Sequence, residues 1–369
     1  MRIAYILTSL GIGGAERQVL ALGDRLAARG HAVALTVLRP RLAEEWPTNL
    51  EVHHLDMRKS APSLLAGLVH GRDVLRVFKP DIVHSHGFHA NIFARLLAFI
   101  GAAPRPISTI HNIYEGGSTR MFAYRLTDPL SRVSTAVSSA AGERFTRLKS
   151  VPAQKCIVIP NGIDTDEFTC NPERRNLTRS GSVAHDTFLW LAAGRIVPAK
   201  DYANLLRAFA LLHQERPATE LWIAGEPADP VEFARISRLA SELQAESRTK
   251  FLGLRRDLPA LLDAADGFVL SSAWEGMPLA LAEAMSMEKP VVSTDVGGTR
   301  ELVGSAGRLV PAGNAHALAE AMLGVMDESA ESRHERGRAA RRRIVDNFSL
   351  EARTGEWEAL YSSLLKPAR

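Results

Sequence analysis

The stretch FLGLRRDLPALLDAADGFVLSSAWEGMPLALAEAM, residues 251–285, joins short apolar runs to a helical pattern. FLGL and GFVLSS have the length and composition of buried strands. Pro278 and the following LALAEAM predict a helix that begins near Pro278, so its unpaired backbone N–H groups face back toward Glu275. A helix end of this kind favours an anion. The stretch therefore predicts a strand-to-helix connection with a ligand site, as in parallel α/β sheets.

Two glutamates flank that helix start, with Glu275 before it and Glu283 beyond it. Two carboxylates beside an anion site would repel a bare phosphate. They are compatible with a ligand that also carries hydroxyl groups, because hydroxyls donate hydrogen bonds to carboxylates. A nucleotide joined to a sugar offers both kinds of group.

The same alternation of strand and helix runs along the chain in two sets. The first contains RIAYILT, HAVALTVL, DIVHSHG and RPISTIHN, and the second, after residue 185, contains FLWLAAGRI, ELWIAGE, KFLGL, GFVLSS, PVVSTDVGG and GRLVPAG. Two such sets predict two Rossmann-like α/β domains. Turn formers in KCIVIPNGIDTDEF predict a linker there, between domains at 1–165 and 166–345. The end of the chain, 346–369, is predicted to be an amphipathic helix that packs back on the first domain.

The bulk properties restrict the class of protein. A chain of 369 residues usually forms two domains, and its apolar runs are too short to span a membrane. Cys156 and Cys170 give neither a disulfide framework nor a metal pattern, so we expect a cytoplasmic location. Residues 1–165 contain 20 Lys and Arg against 12 Asp and Glu, whereas residues 166–369 contain 25 against 29. The basic first half suggests an anionic partner (nucleic acid, a membrane surface or a pyrophosphate-linked lipid), but solvated arginines would give the same count.

A glycine-rich turn follows the first predicted strand in TSLGIGGAER. Such a turn lets a backbone approach a phosphate or sugar closely, and it also occurs as a tight turn without a ligand. The dinucleotide fingerprint Gly-x-Gly-x-x-Gly is not satisfied, because Gly11 and Gly13 are followed by Glu16 at the third position. The second strand also ends in Arg39 and not in an acidic ribose ligand. A nicotinamide-dependent dehydrogenase is therefore disfavoured.

Two cations lie at the start of the second set, in AAGRIVPAKDYANLLRAF. Arg195 ends a predicted strand, and Lys200 follows five residues later, just before a helix. Open α/β sheets bind ligands at the carboxyl edge, so these cations could neutralise a leaving diphosphate without a metal ion. The alternative is a surface cation paired with a structural carboxylate.

Further motifs follow one another in a characteristic order. They are GGAER, STIHN, VIPNGID, GRIVPAKDYANLLRAF, WIAGE, the 251–285 stretch, PVVSTDVGGTRELV and NFSLEARTGEWEALY. In this order they resemble the motifs of the family 4 retaining glycosyltransferases, which have the GT-B fold. The resemblance runs essentially from end to end, and it implies two Rossmann-like domains facing across a cleft. The first would bind the acceptor and the second the nucleotide-sugar donor.

The resemblance implies roles for residues of the second domain. Glu275 would bind hydroxyls of the transferred sugar, Glu283 would bind the ribose, and Arg195 and Lys200 would contact the phosphates. The other implied donor-binding residues lie in two segments, Gly253 and Leu254 beside the base, and Gly276, Met277, Pro278 and Leu279 against the sugar and the diphosphate.

In the first domain, the resemblance implies that Gly13 and Gly14 approach the donor phosphate and that His111 of STIHN lies against the reacting sugar. Considered alone, His111 would more simply be a satisfied histidine at a strand end. Family members keep the anomeric configuration, so the resemblance implies a front-face route in which the departing phosphate oxygen helps to deprotonate the acceptor hydroxyl. No protein nucleophile is then required.

The resemblance also implies the substrates. A UDP-sugar would donate a hexose-type sugar to a glycan or lipid-linked acceptor, in the assembly of bacterial surface polysaccharide such as O-antigen, capsule or exopolysaccharide. No cofactor or metal ion is expected. A nucleotide-sugar epimerase on the same fold and a non-catalytic nucleotide-sugar-binding protein are the alternatives.

Two patterns imitate metal sites. DTD, from Asp164 to Asp166, resembles a metal-binding Asp-x-Asp motif but lies in a turn near the predicted linker. HSHGFH supplies His84, His86 and His89, but no carboxylate or cysteine nearby completes the set. We therefore predict no metal at either place.

The basic run RHERGRAARRR, residues 333–343, is predicted to be a solvated helix face, with membrane or nucleic-acid contact as alternatives. Little else favours a nucleic-acid partner. The basic first domain favours transient docking to the inner face of an anionic cell membrane that carries a lipid-linked acceptor.

Overall fold

Two units make up the protein in a computed structural model that describes residues 1–365. The first unit contains Met1–Gly162 and the segment that begins at Leu350, and the second contains Ile163–Ser349. Each unit is built on one parallel sheet, with helices between successive strands. The predicted fold class, two Rossmann-like α/β units, is confirmed.

Within the described residues 1–365, the first unit contains seven strands. They are β1 (Arg2–Leu7), β2 (Ala32–Val37), β3 (Glu51–His54), β4 (Ile82–His86), β5 (Ile107–Ile110), β6 (Val133–Ala136) and β7 (Cys156–Val158). Its helices are α1 (Gly14–Ala28), α2 (Ala61–Phe78), α3 (Phe88–Phe99), α4 (Ser118–Thr127), α5 (Ser139–Arg147) and, from the end of the chain, α14 (Leu350–Leu365). The strand order is β3-β2-β1-β4-β5-β6-β7.

The second unit contains six strands. They are β8 (Phe188–Ala193), β9 (Thr219–Ala224), β10 (Thr249–Gly253), β11 (Gly267–Leu270), β12 (Val291–Thr294) and β13 (Arg308–Val310). Its helices are α6 (Pro172–Arg179), α7 (Tyr202–Glu215), α8 (Pro230–Glu242), α9 (Leu258–Ala264), α10 (Leu279–Ser286), α11 (Thr299–Val303), α12 (Ala315–Met326) and α13 (Ala330–Phe348). The strand order is β10-β9-β8-β11-β12-β13.

Both sheets reverse their strand order at one point, between β1 and β4 in the first unit and between β8 and β11 in the second. Open α/β sheets bind their ligands outside the carboxyl ends of the strands at such a switch point. The fold therefore places one candidate ligand site in each unit, in the loops after these four strands.

Polar residues in the sequence determine where many helices begin. Side chains cap the first turns of α2, α5, α6, α7, α8, α12 and α13, through Ser60, Ser138, Asn171, Asp201, Asp229, Asn314 and Ser329. Among the helices that start without a side-chain cap are α1, α3 and α10, which follow β1, β4 and β11. Their first N–H groups are therefore not occupied by a capping side chain at the two switch points.

Helix α14 packs on the first unit, as predicted. Trp357 and Tyr361, four residues apart on one face, are buried with Tyr5 in the core beneath the sheet. The prediction of a single helix over residues 346–369 is wrong in one respect, because α13 continues to Phe348 and α14 starts anew at Leu350. Residues 366–369 of that prediction lie outside the described residues. No helix among residues 1–365 is long and apolar enough to cross a membrane.

Three strands of the first sheet were not predicted. Strand β3 is a half-exposed edge strand and β6 contains Ser134 and Thr135, so neither shows a clear apolar pattern. Strand β7 lies in the KCIVIPNGIDTDEF stretch that we interpreted as linker, and it pairs with β6. The first sheet therefore extends into the stretch whose proline, asparagine and glycine indicated a turn.

The basic run at residues 333–343 is only in part the solvated face that we predicted. The guanidinium of Arg341 donates hydrogen bonds to the carbonyl oxygens of Phe168 (2.9 Å) and Ser286 (2.6 Å). Arg343 donates to the carbonyl oxygens of Leu302 and Glu301 at 2.8 and 2.7 Å. These arginines hold α13 against the rest of the second unit.

Three glycines bring the loops after β8, β9 and β10 into backbone contact. The N–H of Gly225 donates to the carbonyl oxygen of Gly253 at 2.8 Å, and a Cβ on Gly225 would clash with the carbonyl oxygen of Gly194. Gly253 has φ 63°, which favours glycine. The contact draws the end of β10 toward the loop that carries Arg195 and Lys200.

Gly225→Ala should therefore destabilise the second unit. The obstacle to the new methyl group is backbone and cannot rotate away, so we expect a loss of about 1–3 kcal/mol in the free energy of unfolding. Gly355→Ala in α14 is the control, because a Cβ there meets nothing within 4 Å, and it should be neutral or stabilising by up to about 1 kcal/mol. Equal stability of the two variants in urea unfolding would contradict the contact.

Candidate active site

The candidate site of the second unit lies in the loops after β8 and β11. The loop after β8 contains Gly194 and exposed Arg195, and a short 3-10 turn, Pro198–Lys200, leads into α7. The buried Tyr202 hydroxyl donates to the carbonyl oxygen of Gly194 at 2.7 Å. Asp201 has φ 45°, and its side chain accepts from the first turn of α7. These contacts fix the direction in which Lys200 leaves the backbone.

Lys200 and Glu275 form an ion pair across the two loops. The ammonium of Lys200 lies 2.6 Å from Oε1 of Glu275, and the Ser272 hydroxyl donates to the same oxygen at 2.6 Å. The Glu275 side chain is 10% exposed and that of Lys200 is 19% exposed. Oε2 of Glu275 has no hydrogen-bond partner among residues 1–365. It is also not one of the side-chain atoms that are fully buried without a partner. One oxygen of this carboxylate is thus fixed, while the other remains accessible.

Backbone and hydroxyl contacts hold the loop after β11. The N–H of Ala273 donates to the carbonyl oxygen of Ala199 (2.8 Å), and the Ser271 hydroxyl donates to the carbonyl oxygen of Lys200 (2.8 Å). Thr294 donates to the carbonyl oxygen of Ser272 at 2.7 Å. The loop is therefore tied both to the loop after β8 and to β12.

Helix α10 starts at Leu279 with Pro278 as its N-cap, which confirms the predicted start. The segment Gly276–Met277 leads into it, and the N–H of Gly298 donates to the carbonyl oxygen of Gly276 at 2.9 Å. Glu283 lies one turn into the helix and is 4% exposed. The positive end of α10 therefore follows Glu275 directly in the chain.

The remaining predicted residues of this unit lie around the same loops. The side chain of Arg195 is exposed and makes no hydrogen bond or ion pair with the residues described here. Gly253 ends β10 and Leu254 follows it. Gly253 is joined to the loops of the site through Gly225, a residue to which we gave no role from the sequence. Its only signal in the sequence is a glycine directly after the strand ELWIA.

The predicted residues of the first unit lie after β1 and β5. Gly13 is the N-cap of α1 and Gly14 its first residue. A Cβ on Gly13 would meet the carboxylate of Glu16, which also accepts a hydrogen bond from the Ser9 hydroxyl at 3.5 Å. An anion at this turn would therefore lie close to a carboxylate, which has the same sign of charge and would repel it. We did not predict this repulsion from the sequence.

His111 is part of a row of histidines. Its Nε2 lies 3.0 Å from Nδ1 of His86, and the rings of His86 and His84 are 4.0 Å apart. Nδ1 of His84 lies 2.8 Å from the Tyr361 hydroxyl of α14, and its Nε2 lies 2.6 Å from Thr109 Oγ1. Burial lowers the pKa of His84 and His86 well below their ordinary value and that of His111 to about 4. All three rings are therefore neutral near pH 7.

Glu115 supports the His111 loop and was missed in the sequence. Its Oε1 accepts from the N–H of His111 at 3.0 Å, and its Oε2 accepts from the Tyr124 hydroxyl at 2.6 Å. Burial raises the pKa of Glu115 to about 7, although both hydrogen bonds act in the opposite direction. The only signal was an acidic residue in the glycine-containing loop that follows STIHN.

The two imitations of metal sites have other contacts. Oδ1 of Asp164 accepts from the N–H groups of Asp166 (3.1 Å) and Glu167 (3.2 Å) and so closes a turn. Both ring nitrogens of His84 are occupied by hydroxyl groups, and His89 is exposed. Within residues 1–365, no group of three or more His, Cys, Asp or Glu side chains is arranged to hold a metal ion.

Comparison with known proteins shows the family. The model for Glycosyltransferase Family 4 matches residues 12–167, and the model for Glycosyl transferases group 1 matches residues 173–343. A relative from Escherichia coli, UDP-Gal:alpha-D-GlcNAc-diphosphoundecaprenol alpha-1,3-galactosyltransferase, is 25% identical over 310 residues, which cover 79% of this chain and 78% of the relative. N-acetyl-alpha-D-glucosaminyl L-malate synthase of Bacillus anthracis is 26% identical over 371 residues, with coverages of 96% and 95%.

Solved structures show the same fold. Anabaena Alr3699/HepE in complex with UDP and glucose matches with a TM-score of 0.85 at 22% identity, covering 98% of this chain and 100% of that chain. A glycosyltransferase from Rickettsia africae matches with a TM-score of 0.83 at 18% identity, covering 99% of both chains. The two parallel sheets with their helices thus match the GT-B fold of these solved structures. Because the two family matches together span most of its length, the chain belongs to the family 4, group 1 glycosyltransferases.

The buried histidines should make the first unit sensitive to acid. Their pKa values are lowered in the folded state, so the unfolded chain binds more protons once the pH falls below about 6.5. The stability they contribute above that pH is lost progressively toward pH 4. Glu115 acts in the opposite sense, because its raised pKa favours the folded state below about pH 7. The pKa of His89 is also lowered and that of Asp24 is also raised by burial. With four groups against two, we expect the melting temperature to fall from pH 7 to pH 5.

Scanning calorimetry of the wild type and of Glu115→Gln between pH 7 and pH 5 checks the predicted fall of the melting temperature. The variant lacks the opposing titration, so its melting temperature should fall more steeply with acid than that of the wild type. The exposed His70→Gln should leave the slope unchanged. An unchanged or shallower slope in Glu115→Gln would show that the carboxyl group is already ionised in the folded protein over this pH range.

Proposed function

We propose that the protein transfers a hexose-type sugar from a nucleotide sugar to an acceptor hydroxyl, with retention of configuration and without a metal ion. The observation that carries this proposal is the Glu275 carboxylate, with Oε1 held by Lys200 and Ser272 and Oε2 accessible. An ionised carboxylate with one open oxygen can accept a hydrogen bond from a sugar hydroxyl. Its position, immediately before the positive end of α10, suits a ligand that carries both hydroxyls and phosphates.

The other side chains of the second unit fit a diphosphate. Lys200 has three N–H donors, of which one is directed at Glu275, so the others are available to a phosphate oxygen. Arg195 provides an exposed guanidinium in the same loop. Gly276 to Leu279 would contribute backbone N–H groups, Glu283 would hold the ribose, and Gly253 and Leu254 would lie beside the base. The site would thus stabilise the negative charge that develops on the leaving group.

In the first unit we assign His111 to the reacting sugar, and Gly13 and Gly14 to the donor phosphate. The lowered pKa of His111 keeps its ring neutral near pH 7, so it can form hydrogen bonds to a sugar without adding a charge. Glu115 would fix the backbone of His111 and is a positioning residue in this scheme.

The reaction would proceed on one face of the sugar. The bond from the anomeric carbon to the phosphate oxygen breaks, and the bond to the acceptor oxygen forms on the same side. The departing phosphate oxygen takes the acceptor proton, so no protein nucleophile is needed. The protein would then act through positioning and electrostatic stabilisation.

The relatives support the choice of substrates. The Escherichia coli relative uses UDP-Gal and a diphosphoundecaprenol acceptor by its name, and Alr3699/HepE was solved with UDP and glucose. We propose a UDP-sugar donor and a glycan or lipid-linked acceptor of surface-polysaccharide assembly. The basic first half is compatible with transient docking at the cytoplasmic face of an anionic membrane.

Removal of either phosphate cation should slow the reaction. Arg195→Ala and Lys200→Ala should each lower turnover on the order of 10²-fold, because each removes a donor aimed at the leaving group. Arg207→Ala is the matched control, since this exposed arginine lies on α7 of the same unit and its side chain forms no hydrogen bond or ion pair with the described residues. A turnover near that of the wild type in either variant would exclude that residue from the role.

Nucleotide release from a panel of UDP-, GDP- and ADP-sugars, with excess chelator, tests the proposed function itself. Release from one sugar that is lost in Glu275→Ala would identify the donor and support the site. Donor-binding calorimetry on the same panel is run in parallel, because a strict acceptor requirement would suppress release. Failure of every nucleotide sugar to bind would overturn the proposal. Loss of nucleotide release in excess chelator, restored by a divalent metal ion, would refute the proposal that the reaction needs no metal.

A further inference from the structure

A second group of cations lies on the first unit, and the donor chemistry does not use it. The group consists of Arg39, Lys59, His89 and Arg120, which we call the anion patch. Arg39 follows β2, Lys59 lies between β3 and α2, His89 is in the first turn of α3, and Arg120 is in the first turn of α4 after β5. Because β2 to β5 are parallel members of one sheet, all four residues lie at its carboxyl edge.

Backbone and ring contacts bring these loops together. The N–H of Met57 donates to the carbonyl oxygen of Leu38 at 2.8 Å, which joins the segments that carry Lys59 and Arg39. On the other side, the guanidinium carbon of Arg120 lies 4.8 Å from the ring centroid of Phe88, the residue before His89. The patch is thus built from two pairs of neighbouring segments.

The charges of the other three residues act on His89. The pKa of His89 is lowered first by burial and then by the charges of Arg120, Arg39 and Lys59. Arg39 and Lys59 are exposed, and neither side chain has an ion-pair or hydrogen-bond partner among residues 1–365. Like charges held close together are unfavourable, so an anion bound beside Arg39 and Lys59 would relieve their repulsion.

The patch is connected to the His111 loop. A guanidinium nitrogen of Arg120 donates to the carbonyl oxygen of Glu115 at 3.0 Å. The side chain of that same Glu115 accepts from the N–H of His111. A group bound at the patch would therefore be positioned relative to the residue that we assign to the reacting sugar.

We propose that the anion patch binds the phosphate group of a phosphorylated acceptor. Its two guanidinium groups present planar paired donors and its ammonium a compact charge, a combination suited to phosphate oxygens. The donor phosphates have their own cations in the second unit, Arg195 and Lys200, so this second set serves the other substrate. The assignment to the acceptor rests on the proposed function, whereas the binding of phosphate does not.

The test uses the full chain and inorganic phosphate as the probe. Proton NMR follows the Cε1–H signal of His89, identified by its loss in His89→Gln, as the pH is varied at low ionic strength in chloride or in phosphate. We expect phosphate to raise the pKa of His89 relative to chloride. In Arg39→Gln/Lys59→Gln, phosphate binding at this signal should weaken about tenfold or more, which corresponds to about 1.4 kcal/mol.

The matched control is Arg76→Gln/Arg147→Gln, which removes the same charge from the last turns of α2 and α5. It should retain the phosphate affinity of the wild type. An unresponsive His89 signal, or equal phosphate affinity in the two double variants, would overturn the proposal.

Vesicle binding distinguishes a phosphate carried by a lipid from the phosphate of a soluble acceptor. Flotation with phosphatidylcholine vesicles that contain phosphatidic acid, lost in Arg39→Gln/Lys59→Gln and retained in the control, would support a phosphate presented by a lipid. Phosphate binding in solution without vesicle binding would support a soluble phosphorylated acceptor. Because none of these measurements requires donor or turnover, a failure of the proposed transferase activity and a failure of the anion patch give different results.

Discussion

The ion pair between Lys200 and Glu275 joins loops that are 75 residues apart in the chain, and the candidate donor site depends on it. Charges taken partly out of water are tolerated when they are paired and hydrogen-bonded, and Ser272 supplies the second donor that the carboxylate needs. The contact also determines how the carboxylate is used, since Oε1 is held and Oε2 is left accessible. Sequence reasoning assigned Lys200 to phosphate and Glu275 to sugar separately. Their contact makes the two functions interdependent.

Much of the fold could be predicted because apolar strands that alternate with helices leave few arrangements open. The six strands of the second sheet follow the predicted runs, and the start of α10 follows from Pro278. The strands that were not predicted were missed for a physical reason. Strand β6 is rich in hydroxyl side chains that bond to other buried polar groups, for example Thr135 to Thr109 at 2.6 Å. Apolar periodicity cannot reveal a strand whose buried hydroxyl side chains depend on hydrogen-bond partners elsewhere in the chain.

The roles of the candidate site residues stay predictions, and the contacts among them could not be predicted from the sequence. Arg195 and Lys200 were selected by residue type near a strand end, and Glu275 by its place before a helix start. Glu115 and Gly225 were missed because their importance comes from neighbours, a histidine N–H in one case and a facing carbonyl oxygen in the other. The anion patch likewise draws on four separate loops, and only the strand order shows that they share one edge.

The position of α14 has a consequence for how the protein is made. The first unit is interrupted by the whole second unit, and Trp357 and Tyr361, which complete its core and contact the His84 ring, are encoded after that interruption. At about 5–20 residues per second, translation reaches them roughly ten to forty seconds after Gly162 has been synthesised. During that interval the second unit is being synthesised, and α14 does not yet cover the row of histidines. The unit whose synthesis begins first is therefore the one whose last segment is made last.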